Sequence, residues 1–169
     1  MHHLSKVQIE SLLNAAKVSE RDYAMILLAY MHGLRASEVT SLTPENFKDG
    51  FITVQRLKGS KKTSHPLFPV EAEVINNILK TKCESERLFP VSRVHFWRIV
   101  RKHSKAAGIP SHLGHTHVLK HSCAMTGLKG GMKLPELQTY LGHKSGASTM
   151  EYLKVDDDTA SNAFAEALK

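Results

Sequence analysis

Cysteine is nearly absent: the chain has two in 169 residues, Cys83 and Cys123, and neither belongs to a CxxC pair. That density excludes a disulfide scaffold and argues for free thiols in a reducing compartment. Long apolar runs are missing as well. No window approaches the roughly 18 apolar residues needed to span a bilayer, and the N-terminus MHHLSKVQIE lacks the apolar core of a signal peptide. Acidic residues are in deficit: Lys and Arg number 23 against 16 Asp and Glu, a formal net charge of +7. Such a surface attracts a polyanion, nucleic acid ahead of an anionic membrane. Repeats, low-complexity tracts and interdomain linkers are lacking too. With 41% hydrophobic residues, the chain is expected to form one domain around one ordinary core. A soluble, cytoplasmic protein is expected, nucleoid-associated if bacterial or phage. His2 and His3 read as tag remnants.

What is present is mostly helical. Leu4, Ser5 and Gln8 form a staple, an N-cap and its capping-box partner ahead of Ile9, Leu12, Leu13 and Ala16, which predicts a helix over 6–17. Ser19 caps a second helix with Tyr23, Ile26, Leu27 and Tyr30 on one face, and Gly33 stops it in a left-handed turn. A short helix over 36–42 sets Ser37 and Glu38 beside Arg35 and ends at Pro44. Phe51, Ile52 and Val54 form a β-type run; beyond the basic turn KGSKK, Thr63 to Val70 is expected to return as an edge strand, given Pro66 and Pro69. Helical periodicity resumes at Val70, Val74, Ile75, Ile78 and Leu79, and again at Val94, Trp97 and Val100. Pro135 fits the first turn of a further helix and Gly142 its end.

Singly, the residues that could carry chemistry have plainer readings. Arg35 alone is a surface charge or a carboxylate partner. Arg56, Lys58, Lys61 and Lys62 alone are a solvated basic turn, and His117 alone is a structural or surface histidine. His117 and Lys120, three apart on a helix, face one side. His112, His115, His117 and His121 have no metal-ligand spacing, and Asp156, Asp157 and Asp158 form a helix N-terminal charge cluster, not the converging carboxylates of a two-metal nuclease. Neither a metal nor a cofactor is expected.

The ordered set is more specific than its members. Arg35 in GLRASEVTSL, Lys58 in RLKGSKKTSHPL, His117 and Lys120 in HTHVLKH, and His143 and Tyr152 in LGHKSGASTMEYLKV resemble the active site of the tyrosine recombinases, or phage integrases, along nearly the whole chain. The resemblance implies a mainly α domain with a small antiparallel β-sheet at one edge. It implies a single catalytic domain over 1–169, with no room for the N-terminal core-binding domain common in the family. It makes Tyr152 the nucleophile on a DNA phosphodiester and Lys58, with Lys61 as rival, the acid for the 5′ oxygen. Arg35, Lys120 and His143 become phosphate donors, His117 a proton carrier, Glu38 and His121 supports, and Arg56, Lys61 and Lys62 DNA contacts. Lys120 departs from the pattern, standing where the family usually has a second Arg. Trading a planar fork for a point donor is expected to cost roughly 1.5 to 3 kcal/mol, about 10- to 100-fold in rate.

The expected partner is double-stranded DNA. Assembly into a tetramer on that DNA is expected through the C-terminal segment DDDTASNAFAEALK, read as a capped helix, and the free domain is expected to be monomeric. Two alternatives differ in class: DNA relaxation of the type IB topoisomerase kind, which the short chain and the LGHKS box disfavour, and a non-catalytic DNA-binding regulator, which Lys120 favours.

Overall fold

In the computed structural model, residues 2–57, 60–153 and 165–167 are described. Helix α1 (Lys6–Ala16) starts at the expected capping box, in which the Ser5 side chain accepts from Gln8 N and Gln8 reaches back to Ser5 N. It buries Ile9, Leu12 and Ala16. Helix α2 (Glu20–Met31) is capped by Ser19 and is buried along most of its length, from Ala24 to Ala29. It is the central rod around which the other helices lie, and a buried Asp22–His103 pair at 2.8 Å ties it to α5 (Arg93–Ala106).

Gly33 ends α2 at φ +58°, as expected, a conformation that favours glycine; a Cβ there would come 2.5 Å from Leu141 Cδ2, which would have to shift. The turn delivers Arg35 as the N-cap of α3 (Ala36–Thr40). Three short antiparallel strands follow: β1 (Phe47–Lys48), β2 (Phe51–Val54) and β3 (Thr63–Pro66), in the order β1-β2-β3. Strand β1 was not foreseen, although Asp49 and Gly50 both take positive φ, 52° and 77°, the combination a two-residue type I′ hairpin favours. The return strand is an edge as expected but stops at Pro66. Pro69 is instead the first residue of α4 (Pro69–Leu79), where a missing N–H costs nothing.

Helix α5 forms where periodicity predicts it. Its core face is Phe96, Ile99, Val100 and His103, whereas Val94 and Trp97 stay 53% and 41% exposed. Helix α6 (Thr116–Lys129) lies against α2, and α7 (Leu134–Tyr140) carries Pro135 in its first turn. Helix α8 (Ala147–Met150) runs into a 3₁₀ turn at Glu151–Leu153 that holds Tyr152. The main core joins α1 through α6 around Leu12, Met25, Phe89, Phe96 and Leu119, and a smaller one gathers Cys123, Ala124, Leu137, Leu141 and Tyr152. The mainly helical fold with a small antiparallel sheet is therefore as expected. Of the C-terminal helix read after Tyr152, only the helical residues 165–167 are described; the remainder lies outside the described residues.

Candidate active site

Arg35, leaving the Gly33 turn, is held from behind by Glu38. The carboxylate, 2% exposed, accepts from Arg35 N at 2.7 Å, Arg35 Nη1 at 3.2 Å, Arg56 Nη1 at 3.1 Å and Leu57 N at 3.2 Å. Burial alone would raise its pKa. The Arg35 N–H, the Arg56 charge, the Leu57 N–H and the Lys120 charge together outweigh burial, so Glu38 lies below the usual carboxylate range.

Arg56 is not on an exposed turn. Its side chain is fully covered and donates to Thr63 Oγ1, Gly33 O, His32 O and Glu38. The expectation that Arg56 meets DNA is thus corrected: a carboxylate eighteen positions away in sequence draws it inward, and every guanidinium nitrogen is occupied by protein. Lys61 and Lys62 are exposed as expected. Lys58 lies outside the described residues.

The hairpin's return locks onto the segment after α7. Lys61 N donates to Gly142 O at 2.7 Å, and Ser60 and His143 form an isolated antiparallel bridge. Gly142 has φ +70°, and a Cβ there would fall within 2.9 Å of Lys61 O, Arg56 Cγ and Thr63 Cγ2. Only glycine lets the chain pass so close, and the passage sets His143 beside Ser60. Ser60 in turn accepts weakly from Arg35 Nη1 at 3.4 Å.

His117 and Lys120 share a face of α6 but differ in environment. His117 is exposed, while Lys120 is 6% exposed and its Nζ has no hydrogen-bond partner among the described residues. Burial, then the Arg35 and Arg56 charges, lower its pKa to about 8, with Glu38 opposing. His143 is 6% exposed; burial, then Lys120, Arg35 and Arg56, push its pKa down to about 4. Its ring is therefore neutral near pH 7. Nδ1 lies 2.9 Å from Thr149 Oγ1; with Thr149 donating, Nε2 carries the ring proton.

Tyr152 is 8% exposed. Its ring lies 6.4 Å from His143, nearly parallel, and 5.6 Å from His121, edge to face. Burial, then Cys123 and Glu151, raise its pKa to about 12, and Arg35 acts in the opposite sense. Its ring belongs to the smaller core.

The structure thus brings Arg35, Glu38, Lys120, His143 and Tyr152 together, with His121 against the phenol and His117 at the rim. Arg35 and His117 both line a cleft of about 450 Å³. Sequence reasoning missed Ser60, a short hydroxyl residue that only the hairpin bridge makes relevant; Thr149 belongs to the same sequence box as His143 and Tyr152, and its role as the His143 partner comes from the structure. Sequence reasoning also missed a buried chain behind Arg56, in which His32 Nε2 meets Glu71 at 2.8 Å and His32 Nδ1 meets His65 Nδ1 at 3.0 Å. No local signal joins residues so far apart.

Comparison with known proteins places these observations in context. Residues 2–159 match the phage integrase family model. The type 1 fimbriae regulatory protein FimB of Escherichia coli K12 is 35% identical over 176 aligned residues, covering 95% of this chain and 84% of FimB. Among solved structures, XerA recombinase superposes with a TM-score of 0.84 at 23% identity, covering 99% of this chain and 65% of that one. XerH recombinase bound to its difH substrate gives 0.76 at 22% identity, covering 95% and 53%. At those identities the two structures speak for the fold.

Proposed function

The chain belongs to the phage integrase family of tyrosine recombinases, and from that premise we propose that it cleaves and rejoins DNA at specific sites through a 3′-phosphotyrosyl intermediate. The observation that carries the proposal is uncompensated charge. Arg35, Arg56 and Lys120 converge on one carboxylate, Glu38, and the buried Lys120 Nζ has no partner among the described residues. A buried cation in that condition costs stability unless an anion comes to it, and a phosphodiester is the anion that a neighbouring phenol can attack.

In this mechanism Tyr152 Oη forms a bond to phosphorus as the bond to the 5′ oxygen breaks. Arg35 and Lys120 donate to the non-bridging oxygens, joined by Nε2–H of the neutral His143. A tyrosine raised to about 12 must lose its proton during attack; His117 at the rim carries it, and the phosphate-bound cations favour the developing charge. Lys58 protonates the departing 5′ oxygen. Religation runs the steps backward, so the bond energy stays in the protein linkage and no nucleotide is consumed. Glu38 and His121 hold the donors and the phenol, Arg56 holds Glu38, and Lys61 and Lys62 meet phosphates along the duplex.

The proposal includes a cytoplasmic enzyme, monomeric when free, that assembles as a tetramer on DNA through its C-terminal segment. An apolar groove of about 210 Å³ between α2, α6 and α7, lined in part by Tyr30, Met31, Met132 and Leu137, offers that segment a seat. Among the described residues no helix is long and apolar enough to cross a membrane.

A nicked suicide duplex tests the chemistry. SDS-stable adducts with the intact chain, lost in Tyr152→Phe, are expected; their absence in both would favour a second reading, a DNA-binding regulator. Lys120 in place of arginine favours that second reading, as does the word "regulatory" in the name of FimB.

A further inference from the structure

The cleft beside Arg35 has a second wall, and its composition is unusual for a surface shared with cations. Leu57, Val94 and Trp97 line it at 44%, 53% and 41% exposure, next to Arg93. No acidic residue lines it among the described residues. Helix α5 already has a complete buried face in Phe96, Ile99, Val100 and His103, so the exposure of Val94 and Trp97 is not imposed by a shortage of core positions. Nor is the indole loosely placed. The Arg101 guanidinium lies over its ring, 5.2 Å from the centroid, and is itself tethered to Ser111 O at 3.2 Å. One ring face is therefore covered and the orientation constrained, while the remaining surface is available to the cleft.

We propose that Trp97, with Val94 and Leu57, forms the seat for the sugar and base of the nucleotide adjoining the phosphate held by Arg35. The inference rests on the recombinase reading of that same site. Apolar groups interleaved with cations match one strand of a duplex, whose deoxyribose faces are apolar and whose phosphates come between them. An apolar protein partner would cover Arg35, Arg93 and His117 without answering their charge. The cleft is also continuous with the proposed phosphate site, since Arg35 and His117 belong to both. Trp97 would thus be a DNA-contact residue that places the strand for attack.

Trp97 is the chain's single tryptophan, so its emission reads the seat directly. The intact protein is titrated with random-sequence duplex DNA and, separately, with inorganic polyphosphate, which offers charge without rings. DNA is expected to quench Trp97 emission and polyphosphate to leave it unchanged. In band-shift titrations Trp97→Ala is expected to weaken DNA binding about tenfold, with Trp97→Phe recovering most of the loss; unchanged thermal unfolding of both variants separates this from misfolding. Equal responses to DNA and polyphosphate overturn the inference, as does an unchanged emission on addition of DNA. A shift with protein concentration in the absence of DNA also overturns it, because a second copy would then occupy the seat. Suicide-substrate adducts are scored in parallel. Adducts without a Trp97 response sink the seat and leave the recombinase reading standing; a response without adducts does the reverse.

Discussion

Arg35 and Arg56 both donate to Glu38, yet one is closed and the other open. The Arg56 side chain is 0% exposed and divides its donors among Thr63, Gly33, His32 and Glu38. Arg35 is 30% exposed, and among the described residues its guanidinium has, beyond Glu38, only the long contact to Ser60. Lys120 sits with Arg35 on the open side, and among the described residues its Nζ has no hydrogen-bond partner. Behind Glu38, every Arg56 nitrogen is answered by protein before a ligand arrives; in front, among the described residues, the Lys120 Nζ is held in place and left unsatisfied. Cations that serve the fold are saturated, and cations proposed to serve the substrate are not.

The sharpest way to break this contrast is to exchange the consequences of losing each arginine. Arg56→Ala leaves Glu38 buried without its fully buried cationic partner and should destabilise the protein by about 3 to 5 kcal/mol, read as a lower midpoint in urea unfolding. Arg35→Ala should move stability by no more than about 1 kcal/mol, as for a partly exposed pair, while lowering the rate of adduct formation about 10²- to 10³-fold. If the two variants lose stability alike, the division into closed and open sides is wrong.

Lys120→Arg sharpens the open side. Restoring a two-pronged donor should raise the cleavage rate about 10- to 100-fold. It should also change the pH profile. Lys120 holds its proton below about 8 and loses it as pH rises, so cleavage under subsaturating DNA should decline above that point in the parent protein but not in the arginine variant. No gain and no change of limb would mean that Lys120 is not a weakened clamp.

The smallest effect concerns acid. His65 and His143 are held at about 4, in both cases mainly by burial, whereas an unfolded histidine takes its proton near 6.5. Between those values the unfolded state binds more protons, so stability falls as pH drops from 6.5 toward 4. Urea midpoints should decline across that window, and His65→Gln should flatten part of the decline.

Local signals were legible in the sequence where neighbours in the chain are also neighbours in space. The Ser5–Gln8 box, the Ser19 cap and the Gly33 stop all appear where the residue pattern puts them, and the Gly33 stop is what delivers Arg35. Gly142 and Pro135 likewise frame the segment bearing His143. What escaped was nonlocal. Arg56 reads as part of a basic turn because its acceptors come from α3 and the end of α2. Val94 and Trp97 mark α5 in the sequence, but periodicity identifies an apolar stripe without saying which stripe is buried, and Phe96, Ile99 and Val100 form the buried one. The Asp49-Gly50 hairpin is different: its signal was local, but two residues are too few to stand out as a strand.

The central claim is that Lys120 is a buried cation kept unpaired for a phosphate. NMR titration of its ε-carbon in the intact protein, free and then bound to duplex DNA, tests it most directly. The account predicts a midpoint near 8 in the free protein that moves upward when DNA supplies the missing charge. A midpoint at the ordinary value of 10.5, or one that DNA leaves unmoved, would contradict it.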